Sequence, residues 1–77
     1  MAASREAAIQ AYIGQLAYSS PEVAAPWAEK LTDQNTRFSQ IENVARNWLK
    51  ADPPSAEAWL AKVNLPDDRR QRLLQQP

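Results

Sequence analysis

Apolar residues recur every three or four positions along most of this chain, the spacing of helices with one buried face. The pattern predicts five helices in the order long, short, long, short and partial. The apolar positions of the two long helices are Ala7, Ile9, Tyr12, Ile13, Leu16 and Ala17, and then Phe38, Ile41, Val44, Ala45, Trp48 and Leu49. Those of the shorter helices are Val23, Trp27 and Leu31, then Ala56, Trp59, Leu60 and Val63, and finally Leu73 and Leu74.

Polar residues and prolines separate these stripes and mark the helix starts. The expected N-caps are Ser4, Ser20, Asp33 or Thr36, and Asp52, since their side chains can accept a bond from a first-turn amide. Pro21 and Pro53 follow two of these caps at the first helical position, where a missing amide hydrogen costs nothing. Pro26 lies inside the second helix, where we expect a kink or a late start. Asp67 and Asp68 suit the positive end of the last helix.

The same residue types recur at a spacing of 32 positions. Pro21, Ala24, Trp27 and Lys30 become Pro53, Ala56, Trp59 and Lys62, and Ser4-Arg5 becomes Thr36-Arg37 and then Asp68-Arg69. A period in this range is typical of stacked helical hairpins that share their burial. We therefore predict an all-α, solenoid-like domain over residues 1–77, with about two and a half stacked antiparallel hairpins. The predicted units are residues 4–35, 36–67 and a partial unit 68–77.

The second unit resembles a family of bacterial helical-hairpin repeats. Their loose pattern is matched here by Arg37, Ala45, Trp48, Asp52, Pro53, Ala56, Trp59, Leu60, Leu65, Pro66 and Arg69. The first unit departs from the pattern, with Leu16 at the first tryptophan position, Ser20 at the aspartate and Asp33-Gln34 at Leu-Pro. The overall form is similar to tetratricopeptide-type solenoids, and that similarity implies a scaffold that binds protein or peptide.

Composition excludes several kinds of chemistry. The 77 residues contain no His and no Cys, which removes the commonest general base and the most reactive nucleophile. We therefore expect no enzyme activity, and we find no catalytic, cofactor or metal-binding pattern. Nine basic residues balance nine acidic ones, which argues against nucleic-acid binding and against a membrane surface as partner. No signal or membrane-spanning stretch is seen, so we expect a cytoplasmic protein.

One polar stripe of the third helix is the best candidate for binding a partner. Its members Gln40, Asn43, Asn47 and Lys50 fall at i, i+3, i+7 and i+10, opposite the apolar face. The matching positions of the first helix are Ala8, Ala11, Gln15 and Tyr18. If the two helices lie side by side, the stripes form a shallow groove whose amides can hold a peptide backbone. The alternative is that the stripe is only a solvated helix face.

The tryptophans and the last helix leave further alternatives open. Trp27 and Trp59 are expected in the core, whereas Trp48 either packs on the Asp52-Pro53 turn or anchors a partner. Two hypotheses for the function follow: a protein- or peptide-interaction module, or a self-assembling structural protein. The second hypothesis uses Leu73 and Leu74, an apolar end that would stick to another chain.

Overall fold

A computed structural model describes the backbone of residues 2–75 and the side chains of residues 7–75. It contains the five predicted helices, in the predicted order of lengths: α1 (Ala2–Ser19), α2 (Pro21–Glu29), α3 (Gln34–Ala51), α4 (Pro53–Leu60) and α5 (Asp67–Gln75). No strand occurs within residues 2–75, so the all-α prediction is confirmed.

The third helix is the centre of the structure, because α3 packs against all four of the others. The first two helices also pack against each other, so that α1, α2 and α3 form one three-helix group. The buried residues of α3 are Phe38, Ile41, Val44 and Ala45, the face that the periodicity predicts. The radius of gyration, 11.9 Å, is close to the roughly 11.5 Å of a compact chain of this length.

A single non-helical residue joins each long helix to the short helix that follows it. Ser20 separates α1 from α2 with φ −147° and ψ 70°, and Asp52 separates α3 from α4 with φ −153° and ψ 80°. Each donates its amide back into the long helix, to the carbonyl of Leu16 at 2.6 Å or of Trp48 at 2.7 Å. Both lie at the predicted N-caps, but neither side chain caps the following helix. Proline at the next position removes one amide that would need a partner.

The other predicted helix starts had mixed outcomes. Asp33 caps α3, since its carboxylate accepts the Thr36 amide at 2.9 Å and the Thr36 hydroxyl at 2.8 Å. Helix α1 begins at Ala2, so Ser4 lies within its first turn and the prediction of an N-cap there is wrong; the side chain of Ser4 lies outside those described. Helix α2 begins at Pro21 and continues past Pro26, so of the two alternatives expected there, a kink or a late start, the late start is wrong.

Corresponding helices share boundaries along the chain. The last residue of α3 lies 32 positions after the last residue of α1, and α4 begins 32 positions after α2. The period seen in the sequence therefore also describes where the long helices end and where the short ones begin.

The predicted core is correct for most positions and wrong for one surface of the first two helices. Trp59 is 7% exposed, as expected, but Trp27 at the matching position is 39% exposed. Tyr12 and Val23 were also expected on buried stripes and are exposed. The Trp27 ring meets the edge of Tyr12, with centroids 5.9 Å apart, and the Lys30 ammonium lies 5.6 Å from its centroid. These side chains are left exposed because α3 covers a different face of α1 and α2.

The arginines at the helix starts hold the preceding loops, with a shift of one residue between units. Arg37 donates to the Leu31 carbonyl at 3.0 Å. The corresponding bonds near α5 come from Arg70, which donates to the carbonyls of Val63 at 3.1 Å and Leu65 at 2.9 Å. Arg69, the sequence match of Arg37, instead pairs with Glu42 at 2.6 Å.

Candidate functional site

The predicted polar stripe of α3 is only partly available to a partner. Gln40, Asn43 and Asn47 are half-buried, and Lys50 is exposed. The Asn47 amide donates to the Asn43 carbonyl at 2.9 Å, so one of its donors is already used within the helix. The Gln40 Oε1 atom is buried and accepts no hydrogen bond from a described residue. The stripe is therefore a less open hydrogen-bonding surface than the sequence predicts.

The matching positions of α1 are more open. Gln15 is exposed, and Tyr18 is 85% exposed, the largest fraction among the exposed large hydrophobic residues. Helices α1 and α3 pack together, as the groove hypothesis requires. Among the described side chains, however, no hydrogen bond joins Gln15 or Tyr18 to the α3 stripe. The side-by-side groove remains a prediction.

A concave surface lies where the C-terminal half of α3 meets α4 and α5. This groove has a volume of about 670 Å³, within the range of pockets that take small ligands or peptide side chains. Its apolar lining residues are Leu49, Pro53, Leu73 and Leu74. Its charged lining residues are Arg46, Lys50 and Glu57. We call this surface the α4–α5 groove. Lys50 belongs both to it and to the predicted stripe.

The α4–α5 groove lies where the packing of α3, α4 and α5 differs from that of α1, α2 and α3. Helix α3 packs on both α1 and α2, whereas α5 packs on α3 and has at most marginal contact with α4. Ala17 of α1 and Ala25 of α2 are buried. The matching positions of α3 and α4 are Leu49 and Glu57, which are half-buried and exposed. Larger side chains therefore line the groove at positions where the first two helices have buried alanines.

The charges of the groove are not neutralised within the described part of the chain. Arg46 and Lys50 are one turn apart on α3, so their side chains are neighbours. The ion pairs of the described side chains join Arg69 to Glu42 and Arg70 to Asp67, and neither includes a groove cation. Glu57, on the α4 side, forms no ion pair there either. The rim therefore has a small excess of positive charge around a leucine-rich floor.

The apolar end predicted at Leu73 and Leu74 is only half correct. Leu73 is 4% exposed and belongs to the hydrophobic core, whereas Leu74 is 47% exposed. Leu73 corresponds to Ile41 of α3, which is also buried, and this explains why it faces inward. Leu74 alone of the two projects from α5 as an exposed apolar side chain, and it does so at the edge of the α4–α5 groove.

Trp48 of α3 packs against Trp59 of α4. It is half-buried against the core, with its ring centroid 5.4 Å from that of Trp59. Trp59 in turn donates its indole N–H to the Glu29 carboxylate of α2 at 3.2 Å. Packing of Trp48 on the Asp52-Pro53 turn and its use as a partner anchor both stay predictions.

Four groove residues were missed by sequence reasoning: Arg46, Leu49, Pro53 and Glu57. A signal for them was present in the 32-residue comparison. Where the first unit has Gly14, Ala17 and Ala25, the second has Arg46, Leu49 and Glu57. Both alanines are buried in the first unit. Larger side chains at the matching positions of the second unit indicate that this surface is packed differently there.

No group of three or more acidic residues in the described part of the chain is arranged to hold a metal ion. None of the helices described has both the length and the apolar character that a membrane crossing needs.

The chain was compared with protein-family models, curated proteins and solved structures, and none matches. The resemblance to tetratricopeptide-like repeats therefore stays a prediction.

Proposed function

We propose that this chain is a non-catalytic module that binds a protein or peptide, built from two stacked helical hairpins and α5. The α4–α5 groove carries the proposal. It combines about 670 Å³ of concave space, a leucine-rich floor and a charged rim, the combination that suits side chains of a partner segment. The absence of His and Cys from the sequence supports binding over catalysis.

The stacked-hairpin part of the proposal is supported by the matching helices. Helices α1 and α3 end 32 positions apart, α2 and α4 begin 32 positions apart, and the turns at Ser20 and Asp52 share one backbone conformation. Arrays of this kind commonly present concave surfaces to partners. That argument is an analogy at the level of the fold, so the groove itself must be tested.

Selection from a randomised peptide display library tests the proposal and requires no candidate partner. We expect enriched sequences that bind the purified chain reversibly. On titration, the largest NMR shift changes should fall on the backbone amides of Leu49, Lys50 and Leu74. If no sequence is enriched, or if the shifts fall elsewhere, the groove is not a peptide-binding site.

Two matched substitutions separate the groove from general stickiness. Leu74→Gln removes an exposed apolar side chain at the groove edge, whereas Val23→Gln removes one on α2, outside the groove lining. Both should fold, since neither side chain is buried. Leu74→Gln should weaken the selected peptides and Val23→Gln should not. Equal effects would contradict the proposal.

Self-association is a second candidate, favoured by the exposed surface of Tyr12, Val23 and Trp27. Aromatic side chains in contact with each other are common anchors of interfaces. The surface lies on the faces of α1 and α2 that α3 leaves uncovered, and it shares no residue with the groove lining. Sedimentation at increasing concentration tests this candidate, with Trp27→Gln as the variant. A chain that stays monomeric throughout would exclude it.

A further inference from the structure

We propose that the α4–α5 groove takes an acidic amphipathic helix from a partner protein, with apolar side chains on the leucine floor and carboxylates toward Arg46 and Lys50. This inference rests on the proposed function and deepens it. It specifies the conformation and the charge of the segment that binds.

The first hairpin shows what shape fits such a surface. There the space beside the long and short helices is filled by α3, another helix, and Ala17, Pro21 and Ala25 are buried. In the second half of the chain the counterpart of α3 is α5, which packs on α3 but leaves the α4 side, bordered by Pro53 and Glu57, uncovered. The part of this surface beside α4 is therefore one that a helix covers in the first hairpin.

The charge of the rim indicates an acidic partner. Arg46 and Lys50 are neighbours on α3 and form no ion pair with a described side chain, and with Glu57 they give the groove lining two cations and one carboxylate. Complementary charge around an apolar contact mainly sets partner choice and the rate of association. Glu57 stands alone on the opposite wall, so a single basic residue on the far side of the helix would complete the match.

The floor supplies the apolar part of recognition. Leu49 is half-buried and Leu74 is exposed, so both retain surface that a partner can cover. Leu73 lies in the core and fixes α5 against α3. A helix that places leucine or aromatic residues at i and i+3 or i+4 would cover this floor in the usual manner of helix-in-groove recognition.

The charge of library-selected peptides tests the inference directly. Selection against the wild-type chain should enrich sequences with net negative charge and apolar residues at helical spacing. Their affinity should fall as salt concentration rises, since exposed charges are screened. Enrichment of neutral or basic peptides would overturn the inference but leave peptide binding in place. If nothing is enriched, the proposed function itself fails, and the inference fails with it.

A charge-reversed variant supplies the decisive comparison. In Arg46→Glu/Lys50→Glu the selected acidic peptides should bind at least about fivefold more weakly, the size expected for two exposed ion pairs. Lys62→Glu/Arg72→Glu has the same net charge, and its two exposed sites lie outside the groove lining. It should bind as the wild type does. Equal losses in the two variants would show that only overall charge matters, and would overturn the inference.

Discussion

The indole nitrogen of Trp59 donates a hydrogen bond to the carboxylate of Glu29, 3.2 Å away, and so connects α4 to α2. The same indole ring packs on Trp48 of α3, with centroids 5.4 Å apart. Trp59 therefore contacts side chains of α2 and α3. Trp27, its match in the first hairpin, has Tyr12 and Lys30 beside it and remains exposed.

Replacing these two tryptophans should have unequal effects on stability. Trp59→Ala removes a buried ring and should lower the free energy of unfolding by about 3–5 kcal/mol. Trp27→Ala removes an exposed aromatic contact and should cost about 1 kcal/mol. Urea denaturation followed by circular dichroism measures both. Similar losses for the two variants would mean that the exposed surface around Trp27 is buried in solution.

A conservative change keeps this test informative if Trp59→Ala does not fold. A domain of this length is expected to have only about 4–12 kcal/mol of stability in total. Trp59→Phe keeps an aromatic ring but loses the donor to Glu29, and should cost more than Trp27→Phe. The difference reports the buried packing together with the hydrogen bond.

The cap at Asp33 predicts how the stability of α3 depends on pH. Two hydrogen bonds lower the pKa of the Asp33 carboxyl below its usual value of 3.8. The bond from the Thr36 amide has the larger effect, and the bond from the Thr36 hydroxyl has the next largest. The stabilisation is therefore fully present above that value and is lost as pH falls through the lowered pKa. Asp33→Ala should destabilise the protein at neutral pH, and the difference from the wild type should shrink as pH falls below the usual pKa of the carboxyl.

Thr36→Val is the companion variant for the cap. It removes the hydroxyl donor at 2.8 Å but keeps the backbone donor at 2.9 Å, so most of the pH dependence should remain. Chemical denaturation of both variants at neutral and acidic pH makes the measurement. If the effect of Asp33→Ala is the same at both pH values, the carboxylate does not act as the cap.

Local patterns were sufficient to predict the helices, because their causes lie within a few residues. The prolines at positions 21 and 53 and the cap at Asp33 each mark a helix start through bonds made or avoided in one turn. The error at Ser4 has a related cause. A serine is compatible with the first turn of a helix as well as with its cap, so the residue type alone does not fix the boundary.

Which apolar side chains stay exposed depends on the helix faces that neighbouring helices cover. The spacing of apolar residues along the chain does not indicate which faces those are. Trp27 and Trp59 match in the sequence, but only Trp59 has Trp48 and Glu29 packed beside it. Leu73 and Leu74 are adjacent and both apolar, but only Leu73 is buried. The groove is lined in part by Leu49 and Glu57, at positions where the first unit has alanine.

The adjacent arginines at the start of α5 should differ in importance. Arg70→Ala removes bonds to the Val63 and Leu65 carbonyls and should cost about 1–2 kcal/mol. Arg69→Ala removes a partly exposed pair with Glu42 and should cost less than about 1 kcal/mol. Hydrogen exchange should show faster exchange of the α5 amides in Arg70→Ala. A larger effect for Arg69→Ala would mean that Arg70 does not hold the loop before α5.

Replacing Gly14, in the interior of α1, by alanine should stabilise the protein. A Cβ atom added there would meet nothing within 4 Å, so Gly14→Ala brings no steric conflict. Alanine restricts the unfolded chain and favours the helix, and should raise the free energy of unfolding by about 0.5–1 kcal/mol. The melting temperature should rise by about 2–8 °C. Ala11→Gly, at an exposed position of the same helix, should lower stability by a similar amount. If Gly14→Ala instead destabilises the chain, the face of α1 that contains Gly14 is in contact with something that alanine displaces, which would identify a further interface.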